Sequence, residues 1–153
     1  MTHGKLALAE RGKSLVVDTS AAVAVIRGEP GADQVAGYLE GALVRLMPAA
    51  IRVELGMVIE ARLGPAGQDV VDRFLREARI DIVSTDMEQA ERAVSAWRRY
   101  GRGRHKAALN YGDCFTYALA ERTGHPILCT GDDFAATDIP VVRPALDSTP
   151  SGE

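Results

Sequence analysis

Four acidic signals recur along this chain in a fixed order. They are Asp18 in Val16-Val17-Asp18-Thr19-Ser20, Glu54 in Arg52-Val53-Glu54-Leu55, Asp113 in Asn110-Tyr111-Gly112-Asp113, and the pair Asp132-Asp133 in Gly131-Asp132-Asp133-Phe134. Each sets a carboxylate at the end of an apolar segment or inside one, where a lone negative charge is costly unless compensated. The repetition points to a shared counter-charge, best supplied by a hard divalent cation such as Mg²⁺, which takes oxygen ligands and keeps several waters. Carboxylates around such an ion suit hydrolysis, because the ion lowers the pKa of bound water and clamps the charge of a transition state.

Each acid also has an ordinary role to weigh. Asp18 ends a strand and opens a helix, as an N-cap would. Glu54 projects nearly opposite Arg52 and with the apolar stripe of its helix, where a buried ion pair would also explain it; Arg52 and Glu60 mark the solvent side. Asp113 lies three residues after Asn110, the spacing of a capping box, while Gly112 between them suggests that something approaches the backbone closely. Asp132 and Asp133 fit an Asx turn, and the position just before Phe134 favours Asp133 as the fourth acid. Thr19 and Ser20 either orient Asp18 or a water beside it, or cap the following helix.

The elements that position these groups alternate between strand and helix. Leu15-Val16-Val17, Leu43 to Met47, Ile80 to Val83, Pro126 to Cys129 and Val141-Val142 read as strands. Helices are predicted over Ala21–Ile26, Ala32–Leu39, Pro48–Leu63, Gln68–Ala78, Thr85–Tyr100 and Tyr111–Arg122. In the long Thr85–Tyr100 helix, Met87, Ala90, Val94 and Trp97 form the expected core stripe, with Trp97 as packing. Alternation of this kind implies an α/β fold with a parallel sheet covered on both faces, and ligands outside the carboxyl ends of its strands. Residues 15–144 form the expected single domain, preceded by an extension over residues 1–14 and followed by a loose tail over residues 145–153.

Bulk properties narrow the function. At 153 residues, 46% hydrophobic and 25% charged, the chain is an ordinary globule in composition. A formal net charge of -3 argues against coating nucleic acid by charge alone, though not against local basic contacts. Cys114 and Cys129 form no C-x-x-C, which argues against structural zinc and for reduced thiols in a cytoplasm. No apolar run is long enough to span a bilayer, and residues 1–14 lack the core of a secretory signal.

Taken together, Val-Val-Asp-Thr-Ser, the mid-chain Glu54, Asn-Tyr-Gly-Asp-Cys and Gly-Asp-Asp-Phe-Ala-Ala-Thr-Asp-Ile closely resemble PIN-domain ribonucleases, above all the VapC toxins of bacterial type II toxin–antitoxin modules. The resemblance runs from about Leu15 to Val142. It implies a PIN-like three-layer α/β/α sandwich with a central, mainly parallel sheet. It also implies an acidic Mg²⁺ or Mn²⁺ site, endonucleolytic hydrolysis of RNA by metal-activated water leaving a 5′-phosphate, a cognate VapB-like antitoxin, and a homodimer. On this reading Asp18 and Asp113 are the principal metal ligands, with Glu54 and Asp133 completing the set directly or through water.

RNA must also be held. Arg98, Arg99, Arg102, Arg104 and Lys106 supply five cations and no acid, with Tyr100 and His105 among them. Arg98 and Arg99 serve as well at a helix end, whereas Arg102, Arg104 and Lys106, on a Gly/Arg loop shortly before Asp113, are the expected phosphate contacts. His105 is polar surface or, less simply, a base. The Ala/Val-rich first two helices would offer an apolar groove to the antitoxin, or merely pack in the core. The competing function is a catalytically silent PIN-like module that binds RNA or antitoxin. A phosphoacceptor signalling domain would want an early acidic pair and a lysine at a late strand end, where Cys129-Thr130 stand instead.

Overall fold

A computed structural model describes residues 14–145. The expected extension (1–14) and tail (145–153) therefore lie, but for Ser14 and Ala145, outside the described residues. The chain runs β1 (Leu15–Val17), α1 (Thr19–Arg27), α2 (Ala32–Gly41), β2 (Arg45–Pro48), α3 (Ala49–Leu63), α4 (Gly67–Glu77), β3 (Ile80–Val83), α5 (Met87–Tyr100), α6 (Tyr111–Thr123), β4 (Ile127–Leu128), a 3₁₀ turn (Asp133–Ala136) and β5 (Val141–Val142). No helix of the described residues is long and apolar enough to cross a membrane.

The strands form one parallel sheet in the order β3-β2-β1-β4-β5. Its centre, β1, is apolar at every position because both faces are covered, as parallel sheets require. Leu15 and Val17 pack into the layer of α1, α2, α3 and α4, with Val35, Ile51, Leu55, Ile59 and Phe74. Val16 points the other way, into the layer of α5 and α6, with Ala93, Ala96, Tyr117 and Phe134. The chain departs from β1 first towards β2 and later returns towards β4. A crevice therefore opens at the carboxyl ends of β1 and β4, the switch point of the sheet.

One predicted face is corrected. In α5 the buried residues are Gln89, Ala93 and Ala96, not Met87, Val94 and Trp97, which are 74%, 46% and 43% exposed. Small residues win the inner face because α5 packs closely along α6, where alanines let the two backbones approach. Trp97 is thus surface, with the Arg104 guanidinium 4.1 Å over its ring. Arg52 also differs from expectation: it turns to α4, bonding Gln68 and Asp72 at 3.3 and 3.1 Å.

Candidate active site

Asp18 follows β1 directly and caps α1. Its Oδ2 accepts from the Ser20 backbone N–H at 3.1 Å and from Ser20 Oγ at 2.7 Å, and its Oδ1 accepts from Thr116 Oγ1 at 3.1 Å. Ser20 Oγ in turn accepts from the Thr130 N–H beyond β4, so one hydroxyl joins the two strand ends. The cap of α1 is Asp18, not Ser20, whose hydroxyl bonds the Asp18 carboxylate instead. Thr19 does something else: its hydroxyl donates across the crevice to Glu54 Oε1.

Glu54 reaches the crevice from α3 and lies against the backbone of Gly112. A Cβ built on Gly112 would stand 2.3 Å from Glu54 Oε2, closer than atoms pack. The group that approaches that glycine is the Glu54 carboxylate itself. Next to it, Asp113 completes a capping box with Asn110: Asn110 N–H donates to Asp113 Oδ2 at 3.0 Å, and Asp113 N–H to Asn110 Oδ1 at 2.8 Å. Capping thus occupies one oxygen, and Oδ1 has no hydrogen-bond partner among the described residues.

Asp133 opens the 3₁₀ turn after β4 and is exposed. Its neighbour Asp132 is drawn away by Arg143, whose Nη1 lies 2.5 Å from Asp132 Oδ1. Asp18, Glu54, Asp113 and Asp133, by contrast, have no Lys, Arg or His within ion-pair distance among the described residues.

The consequence is electrostatic. Burial, and then the nearby charges of Asp18, Asp133 and Glu54, push the Asp113 carboxyl up to about 7. Burial likewise raises Asp18, with Glu54 adding to the shift and the bonds from Ser20 and Thr116 opposing it. Burial first, and Asp18 second, raise the Cys129 thiol to about 12, so it is inert as a nucleophile. The four acids share one field, although no group of three or more His, Cys, Asp or Glu among the described residues is already disposed to hold a metal ion.

Thr116 was not legible as a site residue: it lies 98 residues from Asp18 in sequence and looks like any helix-interior threonine. Its one signal is position, three residues after Asp113, on the same helix face. The basic loop is ordered by its own bonds. Gly101 bridges Leu109, and His105 Nδ1 accepts from Ala107 N–H at 3.0 Å, so His105 shapes the loop. Arg99 is spoken for by Tyr117, Glu121 and Asp138. Arg102, Arg104 and Lys106 are exposed, without an acidic partner among the described residues.

Comparison with known proteins places the chain and its fold. The PIN domain family matches residues 15–140. Ribonuclease VapC30 of Mycobacterium tuberculosis is 46% identical over 128 residues, covering 84% of this chain and 98% of that one. Ribonuclease VapC of Mycolicibacterium smegmatis is 45% identical over 129 residues, 84% of this chain and 100% of the relative. Among solved structures, the M. tuberculosis VapC20 sarcin-ricin loop cleaving toxin superposes with a TM-score of 0.70 at 16% identity, over 85% of this chain and 99% of that chain. Rickettsia felis VapBC2, bound to a DNA fragment from its promoter, gives 0.68 at 11% identity, over 86% and 99%. At those identities the superpositions show the fold.

Proposed function

The chain belongs to the PIN-domain family and to its VapC ribonucleases, and from there we propose that it is a Mg²⁺- or Mn²⁺-dependent endoribonuclease toxin restrained by a VapB-like antitoxin. One observation carries the metal dependence: four neighbouring carboxylates without a cationic partner among the described residues, two of which, Asp113 and Asp18, are raised by burial and then by their acidic neighbours. The donor set fits such an ion, because carboxylate oxygens are hard donors and Asp113 Oδ1 is unengaged. Asp18 and Asp113 would be the principal ligands, with Glu54 and Asp133 joining directly or through water. Water fits the fact that the protein oxygens do not by themselves form a closed shell.

When bound, the ion supplies charge neutralisation at the scissile phosphate and acidifies water for attack. The chain's own residues do the rest. Ser20 and Thr116 donate to both oxygens of Asp18, favouring its ionised form and fixing its rotamer. Thr19 holds Glu54, and Gly112 lets it lie close to Asp113. Arg102, Arg104 and Lys106 take RNA phosphates.

The antitoxin reading gains support from complexes such as VapBC of Salmonella typhimurium, which shares this fold. A cleft of about 540 Å³ between α1, α2 and α4 suits a short helical or extended segment, with Val25, Leu39 and Phe74 inside and Arg45, Arg79, Glu40 and Glu77 around it. A second copy of the chain would use the other apolar face, the groove of α5 and α6 lined by Val94, Trp97, Tyr111 and Phe115. Residues 15–144 would be the nuclease unit, with 1–14 and 145–153 outside it. The place of action is the cytoplasm, in keeping with two buried, free thiols.

Incubating wild type and Asp18→Asn with RNA, with and without Mg²⁺, tests the function. The expected result is cleavage to 5′-phosphate ends by wild type with Mg²⁺ only. Equal cleavage by both proteins would refute the metal role of Asp18, and no cleavage by either would favour a silent binding module.

A further inference from the structure

The turn that presents Asp133 is exposed, and its carboxylate opposes that of Asp113. Something must hold it in place. Its middle is anchored by Phe134, 2% exposed. On the entering side, Arg143 ties down Asp132 and the Gly131 carbonyl. On the leaving side, Thr137 Oγ1 donates to the Phe134 carbonyl at 2.7 Å. Asp138 then meets two donors: Tyr117 OH to Oδ1 at 2.5 Å and Arg99 Nη2 to Oδ2 at 3.3 Å. Arg99 Nη1 also donates to the Tyr117 oxygen at 3.2 Å and lies 3.5 Å from Glu121.

Tyr117 stands one helical turn beyond Asp113 on α6. Its ring is buried in the α5–α6 core at 1% exposure, while its hydroxyl donates to the solvent-facing Asp138. A phenylalanine would fill the same core space, so the hydroxyl's distinctive contribution is to the turn. We propose that Tyr117, with Arg99 and Asp138, is a positioning device that fixes the Asp133 turn relative to Asp113 and so sets the affinity of the acidic site for a divalent ion. Both carboxylates are thereby referred to one rigid helix: Asp113 directly, Asp133 through the clasp. Thr116, between Asp113 and Tyr117, refers Asp18 to the same helix. The inference rests on the metal site proposed above.

The test is the Mn²⁺ dissociation constant of the metal-stripped full-length protein, read from the electron paramagnetic resonance of free Mn²⁺, beside circular dichroism and unfolding midpoints. Tyr117→Phe is expected to weaken Mn²⁺ binding on the order of tenfold, the size of effect seen when a group orienting a ligand is lost, with cooperative unfolding retained. Asp138→Asn, at an exposed position that keeps the core intact, should do the same. The double variant should be no weaker than either single, because the residues act as one device. Arg122→Gln breaks the ion pair with Asp86 between the same two helices, shares no partner with Arg99, Tyr117 or Asp138, and should leave the constant unchanged. Unchanged Mn²⁺ affinity in Tyr117→Phe or Asp138→Asn, with wild type binding, would overturn the clasp alone. Failure of wild type to bind Mn²⁺ would remove the metal site, and the clasp with it.

Discussion

Helix α6 carries two acid-rich regions on one structural beam, and they differ in burial and in whether the fold supplies a counter-charge. Around its first turn, Asp113 meets Asp18, Glu54 and Asp133 with no cation among the described residues, and its carboxyl is driven up to about 7 by burial and repulsion. Two turns on, Glu121 and Asp138 meet Arg92 and Arg99 within 3.1–3.5 Å. There Asp138 is held below the ordinary carboxylate range, chiefly by the Tyr117 hydrogen bond and then by Arg99. Where the fold itself supplies the counter-charge, clustered acids stabilise the native state. Where it does not, they store repulsion that a bound cation relieves.

The contrast is sharpest in paired substitutions. Asp113→Asn should abolish most RNA cleavage, by on the order of a thousandfold if it removes a principal stabiliser of the transition state. It should also raise the unfolding temperature of the metal-free protein, since it deletes a repulsive charge while an amide oxygen can still accept from Asn110. Asp138→Asn should instead lower that temperature modestly, as expected for a partly exposed ion pair and hydrogen bond worth about 1 kcal/mol. Melting curves in a chelator check both signs, and the same sign in both variants would erase the distinction.

The pH dependence follows from the same difference. The native state keeps a proton on Asp113 up to about 7, whereas the unfolded chain releases it near 3.8. Between these values the folded protein binds more protons, so metal-free stability falls as pH rises, by up to on the order of 4 kcal/mol for a shift of about three units. Mn²⁺ should reverse the trend, binding more tightly towards pH 7 with release of a proton. Urea titrations at pH 5 and pH 7, with and without Mn²⁺, read this directly.

Gly112→Ala probes the geometry of the uncompensated region without altering charge. The added methyl would meet Glu54 Oε2 at 2.3 Å, so the carboxylate must move. Cleavage should drop on the order of a hundredfold, as for displacement of a positioned group by about an ångström. Stability would be spared by the gain of up to about 1 kcal/mol from replacing glycine in a helix. Smallest are Arg102→Ala and Lys106→Ala. Each should weaken RNA binding several-fold and reduce the salt slope by about one, measured as binding against salt concentration in a chelator.

Much of this was legible in the amino-acid order. A fully apolar triplet before Asp18, turn signals between segments and helical spacing in the later segments were enough for the alternating α/β architecture. The acids were legible because a carboxylate ending an apolar run is costly and therefore conspicuous. Their supports were not. Thr116 and Tyr117 are ordinary helix residues until folding brings Asp18, from the other end of the chain, and Asp138 against them. The α5 face was misread because size was taken as the mark of burial, whereas close helix packing selected Ala93 and Ala96 and left Trp97 beside Arg104. Position before Phe134 favoured Asp133 over Asp132, whereas the pairing of Asp132 with Arg143 was hidden, because it depends on β5 returning beside β4.

The most direct examination of the acidic crevice is a calorimetric titration of the metal-stripped protein with Mn²⁺ at pH 7, in wild type and in Asp113→Asn. Saturable binding in wild type, accompanied by a rise in unfolding temperature and lost in the variant, is the predicted result. Absence of binding in wild type, or equal binding in the variant, would contradict a cation site built from these four carboxylates.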